Sequence, residues 1–218
     1  SIQAHPDRQQ AREGFARENA AGIPLTAGHR NYKDDNHKPE IICALSDFYA
    51  LNGFRPIEQI SALLAPAAKA SRCLERILSR LVADRDYRTM FSSLLTLTPA
   101  QKNEIITASI ASVRQRQHQP EYSWLCRLRD QYPGDIGVLA PALLNFVHLQ
   151  PGQAMFIPAG QLHAYLHGVG MELMASSDNV LRGGLTNKHI DGAELLRILR
   201  FEAATVAMIE PQPISSLE

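Results

Sequence analysis

Between about residues 140 and 190 the apolar residues come in five short runs, LLNFVHL, QAMFI, LHAYL, GMELMA and NVLRG. The breaks between them are turn formers: Pro151-Gly152, Pro158-Ala159-Gly160, His167-Gly168-Val169-Gly170 and Ser177-Asp178-Asn179. Short strands at this spacing fold as an antiparallel barrel or sandwich. Asp191, with Glu194 three residues on, then opens a short helix. The stretch before residue 140 follows a different period. Cys73, Leu74, Ile77, Leu78 and Leu81 recur at helical spacing and form one apolar stripe. Thr98-Pro99 with Gln101 is a helix start, and Pro120 and Pro133-Gly134 read as the end of the helical block. Nearer the beginning, RQQAREGFARENAAG reads as a polar helix and EIICALSDFYAL as one strand-like run. The expectation is a mainly β chain with an α insertion. Residues 1–55 form a first barrel segment, 56–138 a helical insertion, and 139–218 a second barrel segment with a C-terminal helix and tail.

The composition excludes several classes. The 22 lysines and arginines balance 22 aspartates and glutamates, so no net field draws nucleic acid or an anionic membrane. No apolar run approaches a membrane span, and the first residues do not resemble a signal peptide. Cys43, Cys73 and Cys126 are odd in number and form no C-x-x-C, which points to a reducing, cytoplasmic compartment and to cysteines used as small apolar side chains.

The strand block also carries Gly152, Pro158, Gly160 and His163 in the order G-x5-P-x-G-x2-H, which resembles the second sequence motif of the cupins. Two turns bring His163 to the start of a strand with its side chain directed into the barrel. Where that motif usually ends in asparagine, this chain has His167. Gln3 and His5 lie two apart and share a face if extended. Pro39 biases Lys38 towards extended backbone, which places Lys38 and Glu40 on one face. An amide oxygen, two imidazoles and a carboxylate would make a zinc set of N and O ligands. Spacing alone does not assemble Gln3, His5, Glu40 and His163, which are too far apart in the chain.

The segments Q-A-H-P, Y-K-D-x-N-H-K-P-E, A-L-x-x-F-x-A-L-x-G-F-R-P, H-A-Y-L-x-G-V and S-D-N-V-L-R-x-G-L-T-x-K together resemble the type I mannose-6-phosphate isomerases, from Ser1 to about Phe201. The resemblance implies a cupin barrel holding one zinc ion on Gln3, His5, Glu40 and His163. It implies a catalytic arginine at Arg182, with Lys38, Glu172 and Lys188 lining the site. Arg182, Glu172 and Lys38 are the catalytic candidates, and Lys188, Arg182 and Lys38 the substrate-binding ones. The activity implied is interconversion of D-mannose 6-phosphate and D-fructose 6-phosphate through an enediol, feeding mannose breakdown or GDP-mannose synthesis. The alternative is a non-catalytic metal-binding cupin fragment or an interaction module. Family members are about twice this long, so the chain is expected to be a fragment lacking both ends, with an incomplete barrel. His37 and Tyr165 adjoin site residues but are read as turned to the opposite face. Lys33, Asp34 and Asp35 are read as a solvated turn.

Overall fold

The computed structural model describes residues 1–211. Nine strands form two antiparallel sheets. They are β1 (Ile2–Ala4), β2 (Glu40–Ala44), β3 (Phe48–Phe54), β4 (Leu144–Leu149), β5 (Ala154–Ile157), β6 (His163–His167), β7 (Gly170–Met174), β8 (Leu181–Gly184) and β9 (Met208–Ile209). One sheet runs β4-β3-β6-β1-β8 and the other β7-β2-β5-β9. Among the described residues the sheets do not close into one barrel, and β4, β8, β7 and β9 are edges. Met171 and Leu173 on β7 and Phe156 on β5 are exposed on the second sheet.

A first helix, α1 (Arg8–Ala20), opens with a reciprocal capping box between Asp7 and Gln10. Between β3 and β4 stand α2 (Ile57–Ala68), α3 (Arg72–Asp84), α4 (Tyr87–Leu95), α5 (Pro99–Val113), α6 (Pro120–Gln131), a 3-10 turn (Ile136–Leu139) and α7 (Ala140–Leu143). The expected stripe of α3 is buried, and Thr98 and Gln101 form the capping box that starts α5. Pro120 does not end the block. It occupies the first turn of α6, where its missing N–H costs nothing. The helical stretch also continues past Pro133-Gly134, because the Asp135 carboxylate accepts from Gly137 N–H and starts the 3-10 turn. Helix α8 (Gly192–Ile198) begins where Asp191 accepts from Glu194 N–H.

The run EIICALSDFYAL is two strands, not one. Leu45, Ser46 and Asp47 reverse the chain, and the N–H groups of Leu45 and Ser46 both donate to the Val169 carbonyl. The reversal leaves Leu45 exposed while Ile42, Ala44 and Phe48 stay in one core.

Two cores result. Between the sheets, Ile42, Ala44, Phe48, Ala50, Val147, Leu149, Met155 and Ile157 pack together. On the other side of the first sheet, Leu51 and Phe54 join the helical core. Strict alternation would place Phe54 with Ala50 and Asn52 between the sheets. A β-bulge prevents this: the register against β4 shifts between Leu51 and Phe54, and Gly53 adopts φ +67°. Phe54 therefore turns into the helices, where its ring lies 5.3 Å from Tyr87 and 5.7 Å from Phe91. Cys73 is buried, Cys43 and Cys126 are half-buried, and all three are free thiols. No helix among the described residues is long and apolar enough to cross a membrane.

Candidate metal centre

Three cross-strand registers set the site. Gln3 on β1 stands opposite His163 on β6 and Arg182 on β8, and Asn52 on β3 stands opposite His163. Paired residues of antiparallel neighbours share a face, so Asn52, His163, Gln3 and Arg182 form one row across the sheet. Glu40 comes from the other sheet, and His5 follows directly after β1.

The His163 end of the row is dry. His5, Glu40 and His163 are 2%, 1% and 0% exposed, and one ligand atom from each lies within 4.8 Å of the others. His5 Nε2 is 3.0 Å from Glu40 Oε1, and His163 Nε2 is 3.3 Å from Glu40 Oε2. The other nitrogen of each ring settles the tautomer. His5 Nδ1 meets the Asn179 carbonyl at 2.7 Å and His163 Nδ1 meets the Gln161 carbonyl at 3.0 Å. A carbonyl oxygen only accepts, so both Nδ1 atoms carry a proton, and both rings turn Nε2 towards one carboxylate.

Two imidazole nitrogens converging on one buried carboxylate make a place where a metal ion could sit. His5 Nε2 and Glu40 Oε1 are buried without a hydrogen-bond partner, although Lys38 Nζ stands 3.1 Å from Oε1 at ion-pair distance. Two imidazoles, one carboxylate and their backbone-anchored second nitrogens are the donor set and outer support of a zinc site. Gln3 completes it by position. Its Nε2 lies 3.3 Å from His163 Nε2, and turning the amide over would present Oε1 instead. Burial opposes ionisation of Glu40. Hydrogen bonding and charge from His163 and His5 outweigh it and hold the carboxyl well below the usual range.

The turn of the G-x5-P-x-G-x2-H motif does more than present His163. Gly160 adopts φ +76°, and a Cβ there would sit 2.7 Å from the Ile198 carbonyl, so only glycine fits. Its N–H donates to the His5 carbonyl at 2.8 Å and ties the two ligand segments together.

Residues 1–57 match the family model described as phosphomannose isomerase type I, catalytic domain. The chain is 44% identical over 214 residues to the mannose-6-phosphate isomerase of Escherichia coli (strain K12), which covers 98% of this chain and 54% of that protein. The chain belongs to the type I phosphomannose isomerase family. It spans about half the length of the curated relatives it matches, including the Salmonella typhimurium enzyme at 43% identity over 216 residues. Among solved structures, a mutant phosphomannose isomerase from Salmonella typhimurium superposes with a TM-score of 0.88 at 42% identity, covering 100% of this chain and 55% of that one. Another from the same organism, bound to fructose 6-phosphate and zinc, superposes with a TM-score of 0.85 at 45% identity, covering 94% and 52%. These neighbours establish the fold as the cupin fold of phosphomannose isomerases, with the barrel open among the described residues.

Against that family, the remaining site residues fall as follows. Glu172 pairs with Ile42 of the inner core and accepts from Tyr165 Oη at 2.8 Å. Tyr165 Oη also lies 3.4 Å from Glu40 Oε2. This corrects the reading of Tyr165 as turned away, since a residue two positions from His163 on a strand shares its face. Burial first, then the bond to Glu172, pushes the phenol pKa well up, so Tyr165 stays a neutral donor. Arg182 is half-buried at the other end of the row, and Lys188 is exposed on the segment that follows β8. Burial lowers the pKa of the Ser1 amino group, and Arg182 and Lys188 nearby lower it further, with Asp135 opposing them.

Asp34 is no solvated turn residue. Its carboxylate accepts from Ser177 Oγ at 2.8 Å, Asp178 N–H at 2.8 Å and Asn36 N–H at 3.0 Å. Asn179, which the sequence marks only as a turn former, is fully buried beside it. Its only local signal is an asparagine closing Ser-Asp-Asn before an apolar run, which reads equally well as a turn.

Proposed function

We propose that this chain carries the metal-binding and arginine-bearing part of a mannose-6-phosphate isomerase centre, which interconverts D-mannose 6-phosphate and D-fructose 6-phosphate. The observation that supports it best is the buried His5–Glu40–His163 triad, with two Nε2 atoms converging on one carboxylate. On this reading residues 1–55 and 139–218 build the site, and 56–138 is the helical insertion behind it. Gln3, His5, Glu40 and His163 would hold zinc, which when bound polarises a carbonyl and orients sugar hydroxyls.

The isomerisation moves a proton between C1 and C2 of the open-chain sugar, by way of an enediol. A carboxylate beside the carbon takes the C2 proton and returns it to C1, and Glu172, oriented by the Tyr165 hydroxyl, is the group of that kind on the inner face. Such a base contributes roughly 10²–10⁴-fold. Negative charge accumulates on oxygen as the proton leaves, and Arg182, in register with Gln3 and His163, is placed to offset it. Lys38, at ion-pair distance from Glu40, adds positive charge for the phosphate together with Lys188. The chain is read as cytoplasmic, with a sugar phosphate as its partner.

The decisive assay couples mannose 6-phosphate to fructose 6-phosphate on this chain, with zinc and with chelator. Turnover that chelator abolishes and zinc restores is expected. Zinc binding with no turnover would favour a non-catalytic metal module, and chelator-resistant turnover would overturn the metal assignment. Arg182→Ala should lose roughly 10²–10³-fold in kcat, as loss of a charge-stabilising donor does, with zinc affinity unchanged. Parallel loss of zinc would make Arg182 a structural residue instead.

A further inference from the structure

We propose that Asn179 is a positioning residue for the metal centre, fixing the His5 imidazole and the approach to Lys38 and Glu40 through one buried amide. This inference rests on the zinc reading above. The two histidines and the carboxylate come from separate segments, so something must set the His5 segment against the loop that leads into β2. Asn179 touches both. Its carbonyl accepts from His5 Nδ1 at 2.7 Å. Its side-chain oxygen accepts from the N–H groups of Lys33 at 2.7 Å and Asp34 at 3.3 Å. Its amide nitrogen donates to the carbonyls of Asp34 and Asn36, both at 2.9 Å, and lies 3.1 Å from Asp34 Oδ1.

Both lone pairs and both N–H groups of that amide are therefore engaged, at 0% exposure. No other side chain offers two acceptors and two donors at that length: aspartate lacks the donors, and glutamine has them but is longer. Aspartate would set a second carboxylate against Asp34. Glutamine would displace the carbonyl by a methylene. The Asn179 N–H in turn donates to Ser177 Oγ at 3.2 Å, and Ser177 Oγ donates to Asp34 Oδ1. Residues 33–36 and 176–179 thus form a clasp whose output is the position of one carbonyl oxygen.

That oxygen decides which His5 nitrogen carries the proton and where the ring points. A ligand histidine released from such an acceptor can rotate or change tautomer, and its Nε2 no longer faces Glu40. The side chain of Asn179 never reaches the metal. Its effect passes through His5 and through the loop that leads to Lys38 and Glu40.

The test compares the parent chain with Asn179→Ala and Ser177→Ala. Zinc affinity is measured by competition with a chromophoric chelator, the visible spectrum by cobalt substitution, and folding by far-UV dichroism. A parent that takes up neither metal would refute the zinc reading itself before any variant is made. With a metal-binding parent, Asn179→Ala should weaken zinc by roughly 10–100-fold and alter the cobalt bands, with its helical dichroism retained. Ser177→Ala, which removes one hydroxyl from the clasp, should shift both in the same direction by less, and it decides the matter if Asn179→Ala does not fold. Unchanged zinc affinity together with superimposable cobalt bands in the folded variant would overturn the proposal.

Discussion

Glutamine in place of Glu40 should leave the chain folded and remove its response to zinc. The carboxylate is 1% exposed and is approached by His5 Nε2 at 3.0 Å, His163 Nε2 at 3.3 Å and Lys38 Nζ at 3.1 Å. An amide of nearly the same shape keeps the packing and discards the single negative charge of the triad. Losing outer support at a metal site costs roughly 10–100-fold in affinity, and losing the charged ligand itself should cost more than about 100-fold. Without metal, two changes oppose each other: Lys38 loses its ion pair, while a buried neutral amide costs less to desolvate than a buried carboxylate. The metal-free unfolding midpoint should therefore move little. In the parent, zinc binds only the folded form and raises the midpoint with concentration. A thermal titration separates the two effects, and a zinc-dependent rise in Glu40→Gln equal to that of the parent would remove Glu40 from the ligand set.

Phe54→Ala should give the largest loss of stability. Phe54 is 2% exposed, and its ring meets Tyr87, Phe91 and Phe201 at centroid distances of 5.3, 5.7 and 6.2 Å. Truncating a buried phenylalanine costs about 3–5 kcal/mol, from lost transfer energy and the cavity left behind. The neighbours belong to α4 and to the segment after α8, so little can collapse into the hole. The position also joins the first sheet to the helices. Trp124, the one tryptophan of the chain, lies in α6 and reports on the helical part, while zinc affinity reports on the sheets. Urea unfolding followed by both signals should show a lower midpoint in each. A loss confined to the tryptophan signal would mean that the two parts unfold independently.

Much of this architecture is legible in the order of residues, where a local rule and the tertiary structure agree. The α3 stripe, the Thr98–Gln101 box, the Asp191 cap and the five strands β4 to β8 are all of this kind. Errors arise where one residue type serves two roles. Pro120 ends one segment by beginning another, and Ser46-Asp47 is a turn hidden inside an apolar run. The ligand set lies deeper still. Gln3, His5, Glu40 and His163 meet only because β1 inserts between β6 and β8 and the second sheet faces them. No periodicity encodes that, and only likeness to a family brings the four together from the sequence. The roles of Asn179 and Asp34 were out of reach because most of their partners lie far away in the chain, and several are backbone groups, which leave no mark on sequence.

The long excursion between β3 and β4 has a kinetic consequence. These strands are adjacent and antiparallel, yet everything from Arg55 to Leu143 separates them. Closing so wide a loop in a disordered chain is entropically costly, and pairings of this separation form slowly. The helices make mostly local contacts, α2 against α3 and α3 against α4 among them. Once condensed, they bring Phe54 and Leu144 close together, and a distant encounter becomes a short one. The helical block thus templates the sheet behind the metal centre, and a lesion deep among the helices would delay the arrival of a working site without touching any residue in it.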